Sequence, residues 1–169
     1  LQADVKIPLT LAEAASERTG VLVAPPLNFG CSSYFVSFPG TISLRVHTFI
    51  DVVEDIVRSV YQQGFRRILI VNGHGGNEPA KVALGELANE LGDLRMVWYN
   101  WWKSEAVHQV AVAHELEGFH ASWLEAFPFL RTPGIPEGEK QPFITNYILS
   151  SREVRETLHG VEVVDPYRW

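Results

Sequence analysis

Two rhythms of apolar residues take turns along the first hundred positions. In residues 47–64, Phe49, Val52, Val53, Ile56, Val57 and Val60 recur at the three-and-four spacing of one helix face, and Gly64 supplies a stop. "RRILIV" at 66–71 then runs apolar without interruption, the pattern of a buried strand. Helical spacing returns over 77–92, with Pro79 in a first turn and Asn77 placed to cap it. "LRMVWYN" at 94–100 reads as a further strand. Upstream, Leu9, Leu11, Ala12 and Ala15 before Gly20 predict a helix that opens near Pro8. "VLVAPP" at 21–26 predicts a short buried strand ended by two prolines, and "LNFGCSSYFVSFPGTISL" a long aromatic loop with room for one short strand.

Alternation of strand and helix from Val21 to Asn100, with short connections, predicts βαβ units: an α/β fold with a parallel sheet and helices on both faces. Beyond Trp101 the pattern loosens. A helix is expected near 103–115 and another near 120–130, followed by the Pro/Gly-rich loop "RTPGIPEGEKQP". A last short helix, "SREVRETLHG", should precede an irregular tail. No repeat or low-complexity tract interrupts the chain, so a single domain over 1–169 is expected.

Charge and composition narrow the partners. Fourteen Lys and Arg against 20 Asp and Glu give a net charge of −6, and no basic cluster exceeds the pair Arg66-Arg67. A sequence-independent hold on nucleic-acid phosphates is therefore not expected. A lone cysteine, Cys31, excludes an internal disulfide and fits a reducing compartment. No apolar run reaches the ~20 residues that span a bilayer, and no signal peptide opens the chain. The expectation is a cytoplasmic, soluble protein that touches no membrane. "LQADVKIPL" lacks an initiator Met and enters a helical pattern almost at once, so further residues are expected upstream of Leu1.

Chemistry concentrates in "NGHGGN", residues 72–77, at the carboxyl end of the clearest strand, where open parallel sheets bind ligands. Three readings compete. As an anion cradle, the glycines would let backbone N–H groups approach a phosphate at a helix start. The loop matches neither G-x-G-x-x-G nor G-K-[ST], and Glu78 would repel an anion. As a metal site, His74 would be a ligand with small neighbours making room. As a plain turn, His74 would be incidental. A metal needs partners, and the acids and histidine available are Glu78, Asp4, His120 and Glu125. Asp4 reads equally well as an exposed carboxylate, Glu78 as a complement to the helix dipole, and His120 as a structural histidine. His120 and Glu125 stand five apart, about 140° around a regular helix, so they do not share a face.

"FPGTISL" at 38–44, followed about thirty residues later by "ILIVNGHGGN", with "VLVAPP" before and "HASWLEAFP" after, resembles the creatininase family of metal-dependent hydrolases. The likeness runs from Asp4 to about Pro128. It implies a three-layer α/β/α domain with a mainly parallel central sheet, assembled as a homo-oligomer, a hexamer in this family. It implies one or two divalent ions per subunit, Zn2+, Mn2+ or Fe2+. By the same likeness Asp4 matches the family's bridging ligand and His74 its loop histidine, while a Glu-x-His pair belongs shortly before Leu1, outside this sequence. Glu125 matches a family carboxylate and is the expected further ligand, also with a catalytic part; His120 matches the catalytic histidine, able to give a proton near neutrality.

The resemblance also implies a small-molecule substrate. "YNWW" stands where family members carry a pocket-covering tryptophan, so Trp101 and Trp102, with Trp123, Gly75, Gly76 and Asn77, are the expected pocket residues; Trp98, on a strand, is expected in the core. Two departures bear on substrate, the first arguing against creatinine itself and the second against the standard formamide deformylases. Gly76 stands where creatinine-hydrolysing members carry an acid, and "HASW" replaces the "HAGE" of formamide deformylases, with Trp123 in the place of Glu. The expectation is hydrolysis of a carbonyl in a small polar, cyclic compound, at a cyclic amide or formamide C–N bond. Alternatives are C–C hydrolysis of a keto-inositol or related cyclic ketone, and a non-catalytic phosphate- or nucleotide-binding or structural subunit.

Overall fold

The computed structural model describes residues 3–37, 41–118, 123–125 and 127, together with the backbone of 154–158 and 161–165; for Glu125, too, it describes the backbone alone. In chain order these contain α1 (Ala3–Thr19), α2 (Val46–Gln62), β1 (Arg67–Asn72), α3 (Glu78–Leu91), β2 (Arg95–Asn100), α4 (Glu105–Ala113), β3 (Val154–Leu158) and β4 (Val161–Asp165). Single 3-10 turns cover Ser33–Phe35, Gly75–Asn77, Trp101–Lys103 and Trp123–Glu125. No helix among the described residues is long and apolar enough to cross a membrane.

The predicted centre of the fold is present. β1 and β2 pair in parallel, in register from Arg67↔Arg95 to Asn72↔Asn100, with α3 as the crossover between them. Ile68, Ile70, Met96 and Trp98 project from one face onto Val57 of α2 and Leu84 and Leu87 of α3, with Leu94 closing the cluster. Leu94 is 2% exposed, and full burial of a leucine contributes about 1.5–3 kcal/mol. A second cluster joins Cys31, Phe49 and Ala80, and Trp98 packs against both. A third holds Ala3 and Ile7 of α1 against Trp101, with Trp102, Val107, Leu124 and Phe127 around it. Gly64 has φ +98°, the left-handed conformation that ends α2.

Other expectations are corrected. α1 starts at Ala3 and carries Pro8 in its interior rather than at its opening. Proline has no N–H to give to the carbonyl four residues back, that of Asp4. "VLVAPP" forms neither a strand nor a buried segment: Leu22 is 81% exposed. An apolar run becomes a strand only beside a partner, and no described strand lies along it. The β1–β2 sheet is covered on one face among the described residues, and Leu69, Val97 and Tyr99 on its other face are exposed. Asn77 precedes α3 but makes no side-chain cap. Within the predicted final helix, 154–158 form strand β3, and 161–165 of the predicted irregular tail form β4, antiparallel to it with Leu158 opposite Val161. Val154, Thr157, Val161, Val163 and Val164 are β-branched and favour that pairing. The helix predicted near 103–115 is α4, where the Ser104 hydroxyl accepts from the Val107 N–H as its cap. Of the helix expected near 120–130, the described part is the 3-10 turn at Trp123–Glu125; His120 and the first three residues of "FPGTISL" lie outside the described residues.

Candidate metal centre

β1 and β2 both end on asparagine, and the parallel register sets Asn72 beside Asn100. Asn72 is 3% exposed and fully satisfied. Its Nδ2 donates to the His74 carbonyl and to Asn100 Oδ1, both at 2.9 Å. Its Oδ1 accepts from the His74 N–H and from Asn77 Nδ2, both at 3.2 Å. Two donors and two lone pairs are thus all engaged. Asn77 Oδ1 accepts from the Cys31 N–H at 3.0 Å, tying the loop before α2 to the glycine loop. Asn100 Oδ1 also accepts from Trp98 Nε1 at 3.0 Å, and its Nδ2 donates to Glu78 Oε1. Lys103 Nζ lies 3.9 Å from the same carboxylate oxygen. Asn77 and Glu78 therefore serve the loop's scaffold.

That scaffold fixes His74, 8% exposed, with both ring nitrogens engaged. Nδ1 stands 3.2 Å from Asp4 Oδ2. Nε2 stands 3.2 Å from Ser32 Oγ and 3.1 Å from the Tyr34 hydroxyl. The Tyr34 ring lies nearly parallel to the imidazole, 21° between planes and 6.0 Å between centroids. Burial raises the Tyr34 phenol above its ordinary pKa, the charges of Asp4 and Cys31 add to this, and a hydrogen bond with the Gly76 backbone opposes it. Burial likewise raises the Cys31 thiol.

The glycines have distinct parts. A Cβ on Gly73 would collide with the Asp4 carbonyl and Pro8, so only glycine lets the end of β1 approach the first turns of α1. That approach sets Asp4 beside His74. A Cβ on Gly76 would strike the Cys31 carbonyl and come 2.9 Å from His74 Nε2. A Cβ on Gly75 would meet nothing within 4 Å.

Asp4, His74 and Gly75 line a cavity of about 300 Å³ walled on its apolar side by Ile7, Trp101, Trp102 and Leu124. Trp101 is 8% exposed, and its indole N–H has no acceptor among the described residues, nor has that of Trp123. Of the expected pocket residues, Trp101, Trp102 and Gly75 face this cavity, whereas Gly76, Asn77 and Trp123 do not line it. Trp98 sits in the core, as expected.

The donor set suits a divalent ion. Two ligands about 2.0–2.2 Å from a tetrahedral zinc stand roughly 3.3 Å apart, and the Asp4–His74 separation is 3.2 Å. The Asp4 side chain is 58% exposed, so its carboxylate reaches the open side of the cavity. No group of three His, Cys, Asp or Glu forms among the described residues, and the Glu125 side chain and His120 lie outside them. Sequence reading singled out Asp4 and His74 but missed Asn72, Asn100, Ser32 and Tyr34. A polar residue closing each of two apolar strands was the available signal for the asparagines. Ser32 and Tyr34 gave none, since their role exists only once the loop folds over His74.

The creatininase family model, described as creatinine amidohydrolase, matches residues 1–127. Creatinine amidohydrolase of Pseudomonas putida is 35% identical over 132 residues, 70% of this chain and 50% of that protein. The 3-dehydro-scyllo-inosose hydrolase of Thermotoga maritima is 30% identical over 79 residues, 46% of this chain and 25% of that protein. A solved creatininase variant in its Zn-Zn form superposes with a TM-score of 0.58 at 30% identity, covering 73% of this chain and 52% of that one. The chain thus spans about half the length of creatinine amidohydrolase and of the solved creatininase, and a quarter of the inosose hydrolase. With the glycine loop, the sheet end that carries it and the match over residues 1–127 in agreement, the chain belongs to the creatininase family.

Proposed function

We propose that the protein is a metal-dependent hydrolase that attacks the carbonyl of a small, polar, cyclic compound. One observation carries the reading: Asp4 Oδ2 and His74 Nδ1 stand 3.2 Å apart on the wall of a cavity that Trp101 and Trp102 close on its apolar side. The Zn-Zn form of a solved relative supports a divalent ion at this pair. Such an ion supplies Lewis acidity and lowers the pKa of water from 15.7 to about 7.

The chain's own groups do the rest. Asp4 and His74 are the metal-binding pair, the asparagine scaffold fixes the His74 main chain, and Ser32 and Tyr34 contact its ring. A rigid donor set retains affinity because little ordering remains to be done on binding. Trp101 and Trp102 offer flat apolar walls that exclude water from a ring-shaped substrate. Their burial also lowers the local dielectric, which strengthens charge interactions at the carbonyl. His120 is assigned the proton to the leaving group, and Glu125 the further carboxylate. The reading takes the match over residues 1–127 as the metal-binding part of one creatininase-like domain that continues through the chain.

The finer assignment is a C–N bond of a cyclic amide or formamide, which the likeness to creatinine amidohydrolase supports. A second reading, C–C hydrolysis of a cyclic ketone, is favoured by the likeness to an inosose hydrolase. Assay of the full-length protein, zinc-loaded, on creatinine, formamides and keto-inositols separates them by product. Turnover of a cyclic amide that His74→Ala abolishes supports the first reading, turnover of the ketone alone supports the second, and equal turnover by the chelator-treated protein contradicts both.

A further inference from the structure

The imidazole of His74 is held on both sides by groups of different character. On the Nδ1 side stands Asp4, whose ionised carboxylate can only accept. On the Nε2 side stand two hydroxyls, Ser32 Oγ at 3.2 Å and Tyr34 OH at 3.1 Å. A hydroxyl is both donor and acceptor, and it turns to suit its partner. We infer that Ser32 and Tyr34 are positioning residues that direct the metal to Nδ1 of His74, by serving Nε2 in whichever protonation form the ring takes. This rests on the metal-site reading above.

Two states of the ring must be satisfied. With a proton on Nδ1, the imidazole donates to the Asp4 carboxylate 3.2 Å away. Nε2 is then an acceptor, and the Ser32 and Tyr34 hydroxyls donate to it. An ion bound at Nδ1 would need that nitrogen free of its proton, and the neutral ring would then carry its proton on Nε2. The ring remains neutral. Nε2–H now donates, and the same hydroxyls accept with no movement of the backbone. A backbone carbonyl at this place would satisfy only the metal-bound state, and a backbone N–H only the metal-free one. Partners of this kind on a ligating histidine fix its tautomer and ring plane, and their loss costs about 10–100-fold in metal affinity.

The surroundings favour Nδ1 independently. Two hydroxyls already stand within 3.2 Å of Nε2, and a Cβ on Gly76 would come 2.9 Å from it. Asp4 and His74 line the cavity together, and the Asp4 carboxylate stands 3.2 Å from Nδ1. Tyr34 stacks across the imidazole, with Phe35 tilted against it at 6.4 Å between centroids, so the ring plane is held as well as the nitrogen. Tyr34 is 56% exposed, which makes Tyr34→Phe a mild change for folding.

The test uses the full chain with 15N-labelled histidine, comparing wild type, Tyr34→Phe, the double variant Ser32→Ala/Tyr34→Phe, and Ser32→Thr. Nitrogen shifts of His74 report the tautomer with and without zinc, and a zinc titration gives Kd. Wild type should show Nδ1–H without zinc and Nε2–H with it. The double variant should show mixed tautomers and a zinc Kd raised about 10–100-fold, Tyr34→Phe alone a smaller rise, and Ser32→Thr, which keeps the hydroxyl, close to wild-type affinity. Zinc on Nε2 in the wild type, or a double variant with unchanged tautomer and affinity, overturns the inference while leaving the metal site in place. A wild type that takes up no zinc overturns the metal-site reading itself, and the inference with it.

Discussion

At the scale of single residues, the three glycines around His74 are not equivalent, and this can be measured. Gly73→Ala places a methyl against the Asp4 carbonyl and Pro8, so α1 must move away from β1. We expect a loss of about 1–3 kcal/mol in urea unfolding, together with weaker zinc binding because Asp4 leaves His74. Gly75→Ala, which meets nothing within 4 Å, should stay near wild type in both measurements. Equal effects of the two substitutions would remove the packing argument. His74 itself was legible in the sequence, because a histidine among glycines at a strand end has few structural uses. Asp4 was legible only through family likeness, since an acid near a helix start is ordinary. Ser32 and Tyr34 were not legible, because each acts on His74 from 40 to 42 residues away, and the pairing of Asn72 with Asn100 spans 28 residues.

Among elements, the region from α2 to β2 was readable because its apolar periods are strong and its contacts form between successive segments. The core there rests on Leu94, fully buried under α2 and α3. Leu94→Ala should cost about 2–5 kcal/mol, read as a lowered urea midpoint with an unchanged slope. The same region carries a pH dependence. Asp93 accepts from the Tyr61 hydroxyl at 2.6 Å and from Arg66 Nε at 2.9 Å. These bonds, that of Tyr61 first, hold its carboxyl below the ordinary aspartate pKa. Its contribution is therefore present above the unfolded value of about 3.9 and is lost as pH falls through the lower folded value. Urea midpoints measured downward from pH 5 should fall less steeply for Asp93→Asn than for wild type; parallel curves would contradict this. The segments that were misread needed partners outside their own windows. "VLVAPP" is apolar but has no strand beside it, and "SREVRETLHG", rich in helix-forming Glu, Arg and Leu, becomes β3 because β4 pairs with it.

For the whole molecule, the creatininase likeness spans the part that builds the cavity, from α1 through the turn at Trp123–Glu125. Separate segments meet there: Asp4 from α1, His74 from the loop after β1, the tryptophans from the turn after β2, and Leu124 from the turn at Trp123–Glu125. A parallel sheet brings such segments to one edge, since its strands end together and its loops gather at that end. The α/β class was thus readable from alternation alone, whereas a cavity made by residues 4, 74 and 101 depends on how the helices pack. On the proposed function, Asp4 and His74 together hold a divalent ion, and calorimetric zinc titration of the metal-stripped full chain measures this. Wild type should bind saturably, with His74→Ala and Asp4→Asn each weakening binding by tenfold or more, about 1.4 kcal/mol. Undiminished zinc affinity in both variants would contradict it.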